Sequence, residues 1–181
     1  MNTRNISEII FRYLQEFADA PYNKYPNPSS SIVEVLRKNP SESFQVIANG
    51  LFQKPENLDF RDMDDPLCRL LITFADLVPE LLIPKMTAGF WAARYLYISS
   101  AAACKAPAFI PVIINLLTDR SMYIKTLVLD LVITYPHLQI PEAMPKLEKL
   151  SKMESFQNSE MDRKLLEKAT QCVHSNLRIV S

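Results

Sequence analysis

The chain has 181 residues, of which 48% are hydrophobic, so it is long enough to form one domain with a substantial core. Its 20 basic and 20 acidic residues cancel at neutral pH, which argues against a general nucleic-acid binder, because such proteins present a broad basic face. Two glycines accompany 13 prolines, which disfavours a sheet built from hairpins and all but excludes glycine-rich phosphate and dinucleotide loops.

The sequence shows no sign of membrane insertion or disulfide bonding. The longest stretch without a charged residue runs from Ala106 to Thr118, shorter than the about 20 apolar residues of a transmembrane helix. The charged N-terminal residues leave no apolar core for a signal peptide. Cys68, Cys104 and Cys172 are odd in number and widely spaced, so we expect buried free thiols rather than disulfides or a zinc site. These features favour a cytoplasmic protein.

Apolar residues recur with helical period along almost the whole chain, which predicts nine helices. The first covers residues 5–18 and is followed by a proline-containing loop between Asp19 and Ser31. Asn39 and Pro40, with Glu42 after them, are typical of a helix start. No segment of five or more residues alternates with the period of a β-strand, so the predicted fold class is all-α. The remaining helices are predicted at 30–38, 40–53, 65–78, 84–104, 107–118, 121–135, 141–152 and 159–177.

Two segments in the second half of the chain repeat at an offset of 34 residues. Pro111–Leu116 matches Pro145–Leu150, and at the same offset Phe90 falls on Ile124. A period in this range, made of one short and one longer helix, is typical of an α-solenoid.

The segment from Phe109 to Asp119, followed by Lys125 and an apolar helix, resembles the HEAT/armadillo-like helical-repeat family. In that family the first helix of a unit carries an early proline and a run of leucines, and an aspartate lies in the turn. A basic residue follows in the first turn of the second helix. The corresponding residues of this chain are Pro111, Asp119 and Lys125.

The next unit keeps Pro145 but has Met153 in place of the turn aspartate, with a polar insertion from Glu154 to Asn158. The resemblance implies a single domain over residues 1–181, folded as a short right-handed α-solenoid. Residues 1–28 would form an N-terminal helix and proline-rich loop, and residues 29–181 about four HEAT-like helix pairs. It also implies binding to macromolecules, and it brings no catalytic residues.

The sequence contains no recognisable catalytic or metal-binding motif. His137 and His174 are the two histidines, and they lie on separate predicted elements. Cys172 and His174 are two residues apart on a helix and therefore point away from each other. We predict a protein without catalytic residues, cofactor or bound metal.

The densest acidic cluster is Asp59, Asp62, Asp64 and Asp65, and Asp65 is expected to cap the helix predicted at 65–78. This cluster lacks the glycine and distal glutamate of an EF-hand loop, which disfavours a calcium site. The cluster is interpreted either as a negatively charged helix start or as a patch that contacts a basic partner, and both can hold. Residues 1–80 have a net charge of −4 and residues 81–181 of +4, so a solenoid would be electrically polar along its axis.

The helix predicted at 84–104 carries the most aromatic residues. Phe90 and Tyr97 lie on its apolar stripe, which predicts that they belong to the core. Trp91 and Tyr95 are offset from that stripe and flank Arg94, and these three residue types are enriched at interface hot spots. Because second helices line the concave face of a HEAT-like stack, this group is a candidate binding surface. The alternative is that Trp91 packs against the neighbouring repeat.

These features together favour a non-catalytic protein-binding module. The chain is similar to small bacterial helical-repeat proteins, among them immunity proteins that mask a toxin's active site, and its acidic cluster would then meet a basic toxin domain. The alternative is a nucleic-acid-binding or repair protein of the HEAT-like DNA glycosylase type, holding nucleic acid with Trp91, Arg94, Tyr95 and Lys125. The neutral total charge makes nucleic acid the less favoured partner, and no membrane partner is expected. A third class, an enzyme such as a helical-repeat lyase acting on a chromophore, would require dispersed residues to converge.

Overall fold

The computed structural model describes residues 3–21, 25–52 and 66–180. Within those ranges the regular structure consists of eleven α-helices and five short 3-10 turns, without a β-strand, so the predicted all-α class is confirmed. Packing divides the chain into two compact units, residues 1–106 and 107–181. The single domain expected from the sequence stays a prediction. The stacking of helix pairs into a solenoid stays a prediction.

The first unit is built around the packing of α1 on α3 and of α6 on α4 and α5. Ser29 begins the second helix by accepting a hydrogen bond from the Ile32 amide on its side-chain oxygen. The unit's core consists of apolar and aromatic side chains from every helix. The helices are α1 (Thr3–Ala18), α2 (Ser30–Lys38), α3 (Pro40–Phe52), α4 (Pro66–Ile72), α5 (Pro79–Thr87) and α6 (Trp91–Cys104), with a 3-10 turn at Ala75–Leu77.

An ion pair joins α2 to the 3-10 turn Ala75–Leu77. The Arg37 guanidinium donates to both carboxylate oxygens of Asp76, at 2.8 and 3.0 Å, and also to the carbonyl oxygen of Thr73 at 2.8 Å. These hydrogen bonds, more than the Coulomb attraction, hold the pKa of the Asp76 carboxyl below its usual value. The pair therefore ties together two elements that are far apart in sequence.

The second unit is centred on α8, which has seven buried residues among its 13 and makes its most extensive contacts with α11. The 3-10 turns Pro107–Phe109 and Leu116–Thr118 flank α7, Pro136–Leu138 follows α8, and Pro141–Ala143 precedes α9. The helices are α7 (Ile110–Asn115), α8 (Met122–Thr134), α9 (Met144–Ser151), α10 (Glu154–Asn158) and α11 (Glu160–Val180).

The helices predicted at 107–118 and 141–152 are the shorter α7 and α9, each preceded by a 3-10 turn, and three further segments differ from the sequence prediction. The helix predicted at 84–104 is two helices, α5 and α6, because the chain turns at Gly89, whose φ is +97°. The helix predicted at 65–78 ends at Ile72, and Pro79 begins the next one. The expected polar insertion at 154–158 forms the short helix α10, because Phe156 is buried there.

Candidate functional site

An exposed aromatic pair lies where α6 begins. Phe90 is 65% exposed, so the expectation that it belongs to the core is wrong. It precedes the first residue of α6 and has an extended backbone, so it does not lie on the helix's apolar stripe. Its ring lies 5.5 Å from that of the half-buried Trp91, centroid to centroid, at an interplanar angle of 49°. Together with the half-buried Tyr95, one helical turn further on, these side chains are called the aromatic surface.

Gly89 explains how Phe90 reaches the surface. Its φ of +97° lies in a region that L side chains rarely adopt, and no heavy atom is within 4 Å of the place a Cβ would occupy. The requirement for glycine is therefore conformational rather than steric. One of the two glycines in the chain thus makes the turn that exposes Phe90.

Tyr97 lies on the opposite, buried side of α6, as predicted. Its ring contacts that of Phe44 on α3, with centroids 6.1 Å apart. Burial, with a smaller contribution from Cys68, raises the pKa of the Tyr97 hydroxyl to about 12. This side chain therefore anchors α6 in the first unit's core.

Arg94, predicted as a partner contact, lies beneath the surface. It is 3% exposed, and its Nε donates to the carbonyl oxygen of Met86 at 2.8 Å. Met86 is in the last turn of α5, where carbonyl groups lack helical partners and the helix dipole favours a positive charge. The predicted surface role is thus corrected: Arg94 joins α5 to α6.

Lys125, the other cation of the predicted binding group, is also buried, with 6% of its surface exposed. Its Nζ lies 4.0 Å from the sulfurs of Met122 and Met153. The side chain is thus not placed on a surface that nucleic acid or protein contacts. It belongs to the second unit, whereas Trp91, Arg94 and Tyr95 belong to the first.

The acidic cluster of Asp59, Asp62, Asp64 and Asp65 lies outside the described residues. The charge difference predicted between the two halves of the chain becomes smaller when the charges are counted for each structural unit. Residues 81–106 carry three basic and no acidic residues, while residues 107–181 carry nine basic and eight acidic. Each unit is therefore close to neutral, and one of the three cations in residues 81–106 is the buried Arg94.

A groove with a volume of about 600 Å³ runs between α7 and α9 in the second unit. Isoleucine side chains form part of its lining, and Lys146 and Glu142 are its charged residues. Pro111 and Pro145, which the 34-residue offset relates in sequence, both line it. The groove is thus lined by residues of two segments that have similar sequences.

The described residues hold no cluster of three or more His, Cys, Asp or Glu side chains that would bind a metal ion. His137 contacts the ring of Tyr135, and His174 is exposed on α11. None of the three cysteines forms a disulfide; Cys68 is buried and the other two are half-buried. Burial raises the pKa of the Cys104 thiol, which disfavours the reactive thiolate. Of the helices in the described ranges, none combines the length and apolar character needed to cross a membrane.

Comparisons of this chain with known protein families, with curated proteins and with solved structures find no match. A proposal about function therefore depends on the residues of this chain and their arrangement.

Proposed function

We propose that this chain is a non-catalytic protein-binding module and that its aromatic surface, Phe90, Trp91 and Tyr95, contacts the partner. The observation that carries the proposal is the 65% exposure of Phe90 beside Trp91. An aromatic side chain exposed to this extent costs hydration free energy that a partner's surface would recover.

The local backbone supports the same reading. Phe90 lies between the turn at Gly89 and the first residue of α6, and Arg94 fastens α6 to the end of α5. A side chain on a rigid element loses little conformational entropy on binding, which is why anchored aromatic residues dominate interface energies. Trp91 and Tyr95 have this arrangement because they lie on α6, and Phe90 directly precedes that helix.

Burial of Arg94 and Lys125 weakens the nucleic-acid alternative. That alternative needs both cations at the surface, where they would neutralise phosphates, and each is less than a tenth exposed. We therefore expect no mobility shift of nucleic acid at low salt with micromolar protein.

A narrower form of the proposal is that the partner is a basic toxin domain whose active site this chain masks. It rests on the carboxylates Asp59, Asp62 and Asp64, which would steer such a partner electrostatically. Association would then slow as salt concentration rises, and the triple change of these residues to asparagine would remove most of that salt dependence.

The test of the general proposal compares two exposed phenylalanines. Immobilised wild-type protein, Phe90→Ser and Phe11→Ser are used to capture partners from the native cell extract, and captured proteins are then purified for affinity measurement. Phe11, on α1, is 61% exposed and so matches Phe90 in character and accessibility. We expect Phe90→Ser to weaken binding at least tenfold, or about 1.4 kcal/mol, and Phe11→Ser to leave it unchanged.

Thermal unfolding of each variant shows whether the fold is intact. Equal affinity of Phe90→Ser and wild type for every captured protein would overturn the assignment of the aromatic surface. Failure of the wild-type protein to capture any protein above the level of the bare support would overturn the binding function itself.

A further inference from the structure

Lys125 lies in an unusual electrostatic environment within the second unit. Among the described residues, the acceptors within reach of its Nζ are the thioether sulfurs of Met122 and Met153, each at 4.0 Å. Thioether sulfur is a weak hydrogen-bond acceptor, whereas a buried ammonium group requires strong ones. The Lys125 ammonium is therefore a strong donor whose nearby acceptors satisfy it poorly.

A second donor is directed at one of the same sulfurs. Ser155, exposed on α10, donates its hydroxyl to the Met122 sulfur at 3.6 Å. Met122 itself is half-buried at the start of α8, so part of this residue is exposed to solvent. Two donors thus converge on a sulfur that accepts hydrogen bonds poorly, in a residue that solvent partly reaches.

We propose that Met122 is a modification site, oxidised by a peroxide to its sulfoxide, and that Lys125 and Ser155 hold the new oxygen. A sulfur lone pair attacks one peroxide oxygen, the O–O bond breaks and an S–O bond forms. Sulfur loses two electrons, the second oxygen of hydrogen peroxide leaves as hydroxide, and the proton on the transferred oxygen passes to that hydroxide, which gives the sulfoxide and water. The 4.0 Å from sulfur to Nζ leaves room for this oxygen, since a charge-assisted N–H···O contact spans about 2.8 Å.

The site differs from an ordinary oxidised methionine in the sign of its effect on stability. Sulfoxidation normally disrupts packing, because it turns an apolar side chain into a polar one. At Met122 the added oxygen gives the Lys125 ammonium a stronger acceptor than either thioether sulfur. Met153 contacts Lys125 but has no second donor in the described residues, so we infer that it is the lesser site.

The test uses a background protein that carries Met144→Leu, Met153→Leu and Met161→Leu, so that Met122 is the one methionine of the described residues with an exposed part. Hydrogen peroxide is added, peptide mass spectrometry locates the sulfoxide, and thermal unfolding is measured before and after. We expect Met122 to be oxidised and the Tm to rise by about 2–4 °C, the shift typical of one added interaction in a chain of this size. Methionine sulfoxide reductase with a dithiol should return the Tm to its first value.

Two further variants separate the proposed donors from a general effect of oxidation. In Lys125→Leu on the same background, oxidation of Met122 should lower the Tm, because the oxygen has lost its ammonium donor. Ser155→Ala is an exposed change that leaves the core intact. In this variant the rise in Tm on oxidation should be smaller than in the background protein. A lowered Tm in the oxidised background protein would overturn the proposal, as would a Met122 that stays unmodified while Met161 of the wild-type protein is fully oxidised.

Discussion

Arg37 on α2 binds Asp76 through two parallel hydrogen bonds, although the two residues are 39 positions apart in the sequence. The same guanidinium also binds the carbonyl oxygen of Thr73, just after α4. One arginine therefore satisfies a side chain and a backbone group of the segment between α4 and α5, and positions that segment against the second helix.

We expect Asp76→Asn to lower the free energy of unfolding by about 1 kcal/mol at pH 7, because a two-bond pair exceeds the median for exposed ion pairs. The expected loss of unfolding free energy is small because the Arg37 and Asp76 side chains are 41% and 38% exposed, so solvent screens their attraction. The folded-state pKa of Asp76 lies below its usual 3.8, so the contribution is complete above about pH 4 and is lost as pH falls through the folded-state pKa.

Urea unfolding at pH 7 and in acid measures this effect, and the difference between the two proteins should shrink in acid. Glu34→Gln, which breaks the fully exposed pair with Lys38, is the control and should change stability little at either pH. A variant difference that stays constant into acid would contradict the role assigned to the Asp76 carboxylate.

The burial of Arg94 predicts that its replacement harms the fold. Arg94→Met keeps most of the packing but leaves the Met86 carbonyl without its donor, which should lower the free energy of unfolding by about 1–3 kcal/mol. Arg94→Glu places a carboxylate beside that carbonyl and should destabilise more. Thermal unfolding followed by far-UV circular dichroism measures both, with the exposed Lys164→Met as control. A wild-type Tm for Arg94→Glu would show that the side chain is at the surface.

Two residues with positive φ predict opposite effects of substitution. Lys105 ends α6 in the left-handed region, with φ 61° and ψ 15°, and it is the one described non-glycine residue with positive φ. Lys105→Gly should therefore stabilise the protein by roughly 0.5–1 kcal/mol, and Gly89→Ala should destabilise it by about 1–2 kcal/mol. Lys105→Ala removes the charge without relieving the backbone and should resemble wild type. If Lys105→Gly and Lys105→Ala stabilise the protein equally, the gain in stability comes from removing the lysine charge and not from the backbone.

Tyr97 predicts how the first unit responds to alkali. Its hydroxyl pKa rises from 10.0 to about 12 on folding, so the unfolded chain loses that proton first as pH increases. The stabilising contribution of the neutral hydroxyl is complete below pH 10 and declines as pH rises toward 12. Denaturant unfolding of wild type and Tyr97→Phe from pH 9 upward should show a steeper loss for wild type. Parallel losses would mean that Tyr97 ionises like an exposed tyrosine.

Local signals predicted much of the helical structure. The bounds of α2 match the prediction residue for residue, because Ser29 caps its start and Asn39-Pro40 marks the junction with α3. Tyr97 is buried as its place on the apolar stripe indicates. In these segments the local sequence preference agrees with the packing.

The structure differs from the sequence prediction where contacts between distant segments determine a helix boundary or the burial of a side chain. Pro84 has the residue type of a helix start, yet Pro79 takes that position and Pro84 lies inside α5. A cation offset from an apolar stripe is expected to be exposed, but Arg94 and Lys125 are covered by neighbouring elements that periodicity does not identify. The candidate binding surface therefore consists of Phe90, Trp91 and Tyr95, and it includes neither Arg94 nor Lys125.

The packing of α8 against α11 has a consequence for how the chain is made. The chain leaves the ribosome in sequence order, so α8, with its run of buried leucines and valines, emerges before its cover α11. During that interval the nascent chain presents the second unit's central apolar helix to solvent, where it invites aggregation or a chaperone. A stop codon before Glu160 would make this exposure permanent, and we expect such truncated chains to collect in the insoluble fraction.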